Sequence, residues 1–465
     1  MERRKMENNI IWQPQPKQVE FLSRWEDEVL YGGAAGGGKS DALIIEALRQ
    51  VHIPHYRAII LRKTFPECRS LIDKSMTYYP CAVPGAKYND SKHSWTFPSG
   101  SVIYFGSLQY SKDKHKYQGQ NYDFIGIDEL THFAYDEYVY LKSRNRPQGP
   151  GTRCYMRMTC NPGGVGHGWV KERFIAGKAP YQTYYEDVSV EGKEYKRARA
   201  FIPATVFDNQ ALLANDPMYV ANLGSLPEAE KRALLYGDWD SFSGQVFTEF
   251  KDDPAHYLDR RHTHVIEPFP IPKHWRRYRS FDFGYTRPFS VGWWAVDEDG
   301  RLYRYRELYG CTGEPNHGVR WEPHEIARKI RELEEKYDAG CKIYGIADPS
   351  IWDTSRGTAG SVRAQMEKER IYFEKGKNDR LAGKMQCHYR FSFDDEGIPG
   401  AYIFNTCKDF IRTVPNLVYD EMDVEDINTD GEDHIYDEMR YMFMSMPVKS
   451  KPVAKENQRE WNPLL

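Results

Sequence analysis

Two groups of side chains in this sequence have the types and spacing to act on phosphates. The first begins at Gly33-Ala34-Ala35-Gly36-Gly37-Gly38-Lys39-Ser40, a G-x-x-x-x-G-K-S run between the apolar 29–31 and an apolar helical stretch at 42–48. Gly33, Gly36, Gly37 and Gly38 have no Cβ, so backbone N–H groups can turn inward around a phosphate chain. The helix behind them aims its positive end at the same anion. Lys39 would reach the β- and γ-phosphates of ATP, and the Ser40 hydroxyl would ligate Mg²⁺. Asp128-Glu129 closes an apolar run at 124–127. In that setting Asp128 holds the Mg²⁺, and Glu129 is the general base that activates water. Asn161, at the end of the next strand, would sense the γ-phosphate. Gln18, about one helix upstream of the loop, is a candidate adenine reader, because an amide can pair with a donor–acceptor edge; a plain helix glutamine is equally open. The loop holds no arginine, so a catalytic one must come from elsewhere. Arg144 and Arg146, in Lys142-Ser143-Arg144-Asn145-Arg146-Pro147, could reach a neighbouring subunit's γ-phosphate, or could form a solvated or DNA-facing turn.

The second group is acidic. Asp282 lies within Phe281-Asp282-Phe283, Asp348 follows Ile346-Ala347, and Asp437 stands one helical turn after His434. A carboxylate inside an apolar strand needs a partner. Brought together, Asp282, Asp348 and Asp437 could hold two Mg²⁺ or Mn²⁺ ions about 4 Å apart, clamping the attacking and leaving oxygens of a phosphodiester. His434 shares a helix face with Asp437 and would assist. Asp353, Asp433 and Glu438 are near enough in sequence to be the ligands instead.

Both groups need a scaffold that presents strand ends. Runs at 57–62, 101–106, 122–129 and 152–159 read as strands alternating with helices. This predicts an α/β fold with a mostly parallel sheet whose ligands collect at the strand carboxyl ends. Residues 165–240 read as a smaller, more helical lid or linker part, with helices at 216–224 and 227–236. Further on come a strand near 279–283, a hairpin of 290–296 and 301–308, a charged helix at 321–337, a strand at 342–347, a short strand at 401–404 and a last helix at 433–446. That is the element order of an RNase H-like fold. The expected organisation is a phosphate-loop ATPase domain at 1–240, a linker at 241–275, an RNase H-like nuclease domain at 276–447 and a disordered tail at 448–465.

The bulk composition sets few limits. Of 465 residues 40% are hydrophobic and 28% charged, an ordinary balance for a soluble protein. A net charge of −3 does not exclude DNA, because acidic sites can offset a basic groove. The eight cysteines include no C-x-x-C pair, so neither a zinc site nor a disulfide framework is indicated and a reducing compartment fits. The charged N-terminus has no apolar stretch behind it and no run approaches a membrane span, so a soluble, intracellular protein without a membrane partner is expected.

In this order, the loop from Tyr31 to Ser40, Gly126-Ile127-Asp128-Glu129, Thr159-Cys160-Asn161-Pro162-Gly163-Gly164, Gly237-Asp238-Trp239, Phe281-Asp282-Phe283-Gly284, Asp348-Pro349-Ser350 and His434-Ile435-Tyr436-Asp437 resemble the large terminase subunit of tailed bacteriophages. The resemblance spans Gln18 to about Phe443. It implies an ATP-driven motor that moves double-stranded DNA into a procapsid, joined to an endonuclease that cuts concatemeric DNA. It implies a small terminase subunit and a portal protein as partners, and a homo-oligomeric ring on the portal. It places the protein in the host cytoplasm and outside the mature virion. Many members carry a basic residue in the loop where this chain has Ala34-Ala35, which adds weight to Arg144 or Arg146. Two other readings are a helicase-like or repair ATPase-nuclease without a capsid partner, and a nucleotide-gated structural protein with vestigial nuclease acids.

Overall fold

The computed structural model describes residues 10–448 except 243, 355–359, 421, 422 and 424. The expected tail at 448–465 lies, apart from Val448, outside the described residues. The chain forms two compact units. One contains the residues up to Thr248 together with Pro415–Glu432; the other contains Glu249–Val414 and the residues from Asp433 onward.

The first unit is built on nine strands: β1 (Glu28–Gly33), β2 (Arg57–Arg62), β3 (Lys87–Asn89), β4 (Ser94–Thr96), β5 (Val102–Ser107), β6 (Phe124–Ile127), β7 (Tyr155–Cys160), β8 (Tyr184–Val190) and β9 (Lys193–Ala204). Their order across the sheet is β3-β4-β5-β2-β6-β7-β1-β9-β8. The six strands from β5 to β9 in that order are parallel; at the edges β4 and β8 run against them, and β3 pairs antiparallel with β4. Every residue of β1, β6 and β7 is buried, as expected of parallel strands covered on both faces. The period-2 alternation divides β2 between two cores. Ile59 and Leu61 join Ile125, Ile127, Met156 and Met158 on one face; Ala58 and Ile60 join Leu43, Ile44, Ile103 and Phe124 on the other.

Here one expectation needs correcting. The sequence predicts a helical lid or linker at 165–240, yet residues 184–204 form the hairpin β8–β9, and β9 extends the main sheet beside β1. The first third of β9, Lys193-Glu194-Tyr195-Lys196, is exposed and mostly charged, and burial begins only beyond it, so the segment lacks an apolar strand pattern along its length. The helical part consists of His167–Phe174 before the hairpin, and a short turn at Val206–Asp208 with Gln210–Asn215, Met218–Gly224 and Glu228–Tyr236 after it.

The second unit has a seven-stranded sheet made of β10 (Val265–Ile266), β11 (Arg276–Asp282), β12 (Ser290–Val296), β13 (Leu302–Tyr309), β14 (Ile343–Ala347), β15 (Glu374–Lys375) and β16 (Ala401–Phe404). The order is β10-β16-β13-β12-β11-β14-β15. An antiparallel β11–β12–β13 meander with β14 and β15 added in parallel beside β11 is the RNase H-like arrangement. Helix His434–Ser445 packs on β11, β12 and β14. Two expected boundaries differ. Glu249 to Ile266, expected as linker, belongs to this unit and supplies β10, and Pro415–Glu432, expected inside the nuclease domain, belongs to the first unit. There Val246 N donates to Leu417 O at 2.9 Å, and Gln245 bridges Val418.

Candidate active sites

The first site sits where β1, β6 and β7 end. Gly33, Gly36 and Gly38 have φ of 129°, 74° and 72°, which L side chains avoid. A Cβ on Gly33 would stand 2.5 Å from Ala204 O, so β9 closes directly on the loop. Helix Lys39–Glu46 starts immediately behind, with Gly38 as its N-cap. The helices at 210–236 back the loop: Ala35 N donates to Leu234 O at 2.7 Å and Asn209 Nδ2 to Gly36 O at 2.7 Å. Ala35 packs with Leu212, Tyr219 and Leu235. A small apolar residue thus occupies the place where the resemblance leads one to expect a basic one.

Lys39 is buried and its Nζ donates to Ala34 O at 2.5 Å and to Asn161 Oδ1 at 2.9 Å. Burial lowers its pKa, while Glu129, Cys160 and Asp128 pull it upward. Asn161 also faces Glu129: its Nδ2 donates to Glu129 Oε1 at 3.2 Å and its backbone N to Oε2 at 3.1 Å. Glu129 itself has φ 56°, a left-handed conformation that costs a non-glycine residue about 1–2 kcal/mol. Such strain collects at functional positions. Thr131 Oγ1 holds Asn161 O at 2.9 Å, and Gly163 N donates to Nδ1 of the buried His167 at 2.9 Å, so the turn carrying Asn161 is fixed from both sides.

Asp128 is fully buried. Its carboxylate accepts from Ser40 Oγ at 3.1 and 3.2 Å, from Thr159 Oγ1, and from Arg62 Nε at 2.8 Å and Nη2 at 2.6 Å. The Ser40–Asp128 pair offers hard oxygen donors of the kind that Mg²⁺ takes. Sequence reasoning missed Arg62 and Thr159. Arg62 reads as the last residue of a strand, and only the β2–β6 pairing brings it to Asp128.

The remaining predicted residues of this site stand elsewhere. Both ends of the Gln18 amide are engaged, Oε1 accepting from Gln15 N and Nε2 donating to Gly38 O, each at 2.7 Å, so here Gln18 ties its helix to the loop. One lone pair on Oε1 and one N–H on Nε2 are left for a further partner. Arg144 and Arg146 lie at the amino end of β6, opposite the loop, where Tyr122 N donates to Arg144 O at 3.0 Å and Arg146 N to Tyr122 O at 3.1 Å. Within one subunit they do not approach Lys39.

The second site lies at the carboxyl ends of β11 and β14, paired so that Phe281 stands opposite Ala347, with Asp282 and Asp348 next in line. Burial, together with the negative charges of Asp437 and Asp348, raises the Asp282 pKa well above the ordinary carboxylate range. Burial takes Asp433 to about 7, with His434 working against the rise and Asp437 and Asp282 adding to it. His434 Nδ1 stands 3.3 Å from Asp282 Oδ2, and its Nε2 3.3 Å from Asn316 Oδ1. Arg440 donates to Asp437 Oδ1 through Nη2 at 2.9 Å and Nε at 3.1 Å. Glu438 points the other way, into a buried cluster where Ser290 Oγ donates at 3.1 Å, Trp294 Nε1 at 3.2 Å and Arg304 Nη1 at 2.6 Å, and Ser280 Oγ also contacts it. Fully engaged, it anchors the helix rather than facing the acids. Mutually repelling carboxylates are the donor set that a divalent cation relieves, so the residues fit Mg²⁺ or Mn²⁺ in chemistry. Among the described residues no three His, Cys, Asp or Glu side chains converge closely enough to hold a metal ion. Asn316 gave no signal in the sequence, because a long excursion in the chain brings it to the site, whereas Arg440 stands one helical turn after Asp437 and reads in the sequence as an ordinary helix arginine.

The fold is thus a phosphate-loop ATPase domain on a mostly parallel sheet, followed by an RNase H-like domain with an acidic strand-end cluster. Residues 30–251 match the family model described as "Terminase large subunit, T4likevirus-type, N-terminal". That match covers most of the first unit, and over it the chain is similar to the N-terminal part of large terminase subunits. A search of curated proteins returned no match. Among solved structures the chain is similar to the large terminase of a thermophilic bacteriophage, at 17% identity over 93% of this chain and 99% of that one, TM-score 0.40. It is similar to the large terminase of bacteriophage HK97, at 10% identity over 94% and 95%, TM-score 0.47. The nuclease domain of the P22 large terminase matches at 18% identity over 44% and 92%, TM-score 0.33. Among the described residues no helix is long and apolar enough to cross a membrane.

Proposed function

We propose that this chain is the motor subunit that hydrolyses ATP to drive double-stranded DNA into a procapsid and cuts concatemeric DNA with a divalent-metal endonuclease. The observation that carries the reading is the contact series Lys39–Asn161–Glu129 beside the Ser40–Asp128 pair. Lys39 and the loop N–H groups bind the β- and γ-phosphates. Asn161 turns from Glu129 to the γ-phosphate, and the freed Glu129 carboxylate accepts a proton from the attacking water. Bound Mg²⁺ would offset charge on the phosphate oxygens from its place at Ser40 and Asp128. Arg144 or Arg146 serves a neighbouring subunit in a ring seated on the portal protein. In the second unit Asp282, Asp348 and Asp437 hold the divalent ions, and His434 orients the site through Asp282. The small terminase subunit brings the DNA, and the work is done in the host cytoplasm rather than in the mature virion.

The test compares full-length wild type, Lys39→Ala and Asp282→Ala in ATP hydrolysis, plasmid cleavage with Mn²⁺, and DNA packaging with purified portal-bearing procapsids. Lys39→Ala should lose hydrolysis and packaging and keep cleavage; Asp282→Ala should do the reverse. Hydrolysis and cleavage by the wild type with no response to procapsids would favour a repair-type ATPase-nuclease instead.

A further inference from the structure

We propose that Arg62 competes with the divalent cation for Asp128 and so sets the Mg²⁺ concentration at which the nucleotide site closes. The inference rests on the nucleotide-site reading above. Asp128 is fully buried, and one of its oxygens, Oδ2, takes both Arg62 bonds, at 2.8 and 2.6 Å. The other, Oδ1, accepts from Thr159 Oγ1, and Ser40 Oγ is shared between the two. A carboxylate with this many donors has little free capacity left, and a guanidinium held on it is a fixed positive charge beside any cation that would share it. Arg62 has little freedom to leave cheaply. It ends β2, paired in parallel with β5 and β6, and Leu61 O accepts from Asp128 N at 2.9 Å, so the two backbones are locked together. The following residue, Lys63, is held by Glu137 at 2.8 Å, and Thr64 caps the helix Phe65–Ala82. Arg62 therefore acts through Asp128 as a positioning residue. It secures the carboxylate at the cost of cation affinity, and a divalent ion gains entry by displacing one or both bonds.

The sign separates this role from a merely structural one. If Arg62 only supported the fold, removing it would weaken Mg²⁺ binding; if it competes, removing it strengthens binding. The experiment uses full-length wild type, Arg62→Gln and Arg62→Lys. It titrates Mg²⁺ against the fluorescence of a bound, non-hydrolysed ATP analogue, and measures melting in EDTA. Arg62→Gln should lower the Mg²⁺ half-saturation roughly tenfold, equivalent to about 1.4 kcal/mol. It should also melt lower in EDTA. Arg62→Lys, one point charge in place of a two-bond fork, should fall between the two. Arg62→Gln that is folded but has an unchanged or raised half-saturation would overturn the proposal. If Arg62→Gln does not fold, an Arg62→Lys half-saturation equal to the wild type's would overturn it as well. Wild type that shows no Mg²⁺-dependent binding of the analogue would remove the nucleotide reading itself, a distinct result.

Discussion

Asn161 and Glu129 hold each other by three contacts, backbone N to Oε2 at 3.1 Å, and Nδ2 to Oε1 at 3.2 Å and to Oε2 at 3.4 Å. The group assigned to sense the γ-phosphate is thus the group that restrains the assigned base. Replacing Asn161 with Ala frees Glu129 but removes the means of responding to nucleotide. Steady-state phosphate release should fall roughly tenfold or more, while nucleotide affinity, carried mainly by the loop and Lys39, changes far less. Measuring both quantities on one preparation checks this; equal losses in binding and turnover would place Asn161 in plain substrate binding.

Glu129→Ala should keep nucleotide binding and lose roughly 10²–10⁴-fold in hydrolysis, because only proton transfer is removed. Lys39→Ala should lose binding as well, since a buried cation with contacts to Ala34 and Asn161 is deleted. Binding by a fluorescent analogue together with phosphate release separates the two variants. Normal turnover by Glu129→Ala would assign the base elsewhere.

Arg144 and Arg146 lie at the opposite end of the sheet from their own loop, so any catalytic part they take is played in another subunit. Mixing Arg144→Ala or Arg146→Ala protein with Lys39→Ala protein should restore part of the ATPase, because some junctions then pair an intact loop with an intact arginine. Rates for mixtures at several ratios, compared with each variant alone, decide it. Flat additivity at the level of the inactive parents removes the trans assignment.

Two buried histidines should make the protein acid-labile. Burial holds His167 down to about 3 and His264 to about 4, from an ordinary value of 6.5. Each accepts a backbone N–H on Nδ1, from Gly163 and Lys251 respectively, and faces a carbonyl with Nε2. Below pH 6.5 the unfolded chain binds protons that the fold refuses. Stability is therefore complete above that value and declines as pH falls toward 4, at up to about 1.4 kcal/mol per pH unit for each histidine. Melting temperatures from pH 7.5 to 4.5 should show the decline. His264→Gln should melt lower at pH 7.5 but with a shallower slope.

The acids of the second unit predict a metal-linked stability. Wild type should melt higher with Mn²⁺ or Mg²⁺ than in EDTA, because the cations offset the repulsion among Asp282, Asp348 and Asp437. Asp282→Asn should lose plasmid cleavage and the Mn²⁺ shift, yet melt no lower than wild type in EDTA. Full cleavage by Asp282→Asn would move the site elsewhere.

What could be read in the sequence was local. Gly33 to Ser40, Asp128-Glu129 and Asn161-Pro162-Gly163-Gly164 are contiguous, and each carries its own backbone logic, so both their type and their place at strand ends could be anticipated. Asp282 stood out because a charge interrupts an apolar strand. Arg62 and Asn316 did not stand out, since nothing near them in the chain marks them and only strand pairing or a distant loop brings them to the site; Arg440, one helical turn from Asp437, was legible by spacing and was not singled out. Strand β9 escaped because its first four residues are exposed, which breaks the alternation a sheet strand usually shows. The glutamine at 18 looked available for a ligand, but a capping arrangement with Gln15 and a bond to Gly38 engage it.

The return of Pro415–Glu432 to the first unit has a practical meaning for anyone who cuts this protein. The chain passes between units at three places, after Thr248, after Val414 and after Glu432. A protease nick near 248 would leave both halves still laced together by the loop that bridges Gln245 with Val418. A fragment beginning at 249 would carry that loop without its backbone partners, and one ending at 248 would expose Phe242 and Ala233, which pack on Val418. Expressing the halves separately therefore calls for excising 415–432 from one and grafting it onto the other. Once past Glu432, the next residues along the chain are Asp433 and His434 of the acidic cluster.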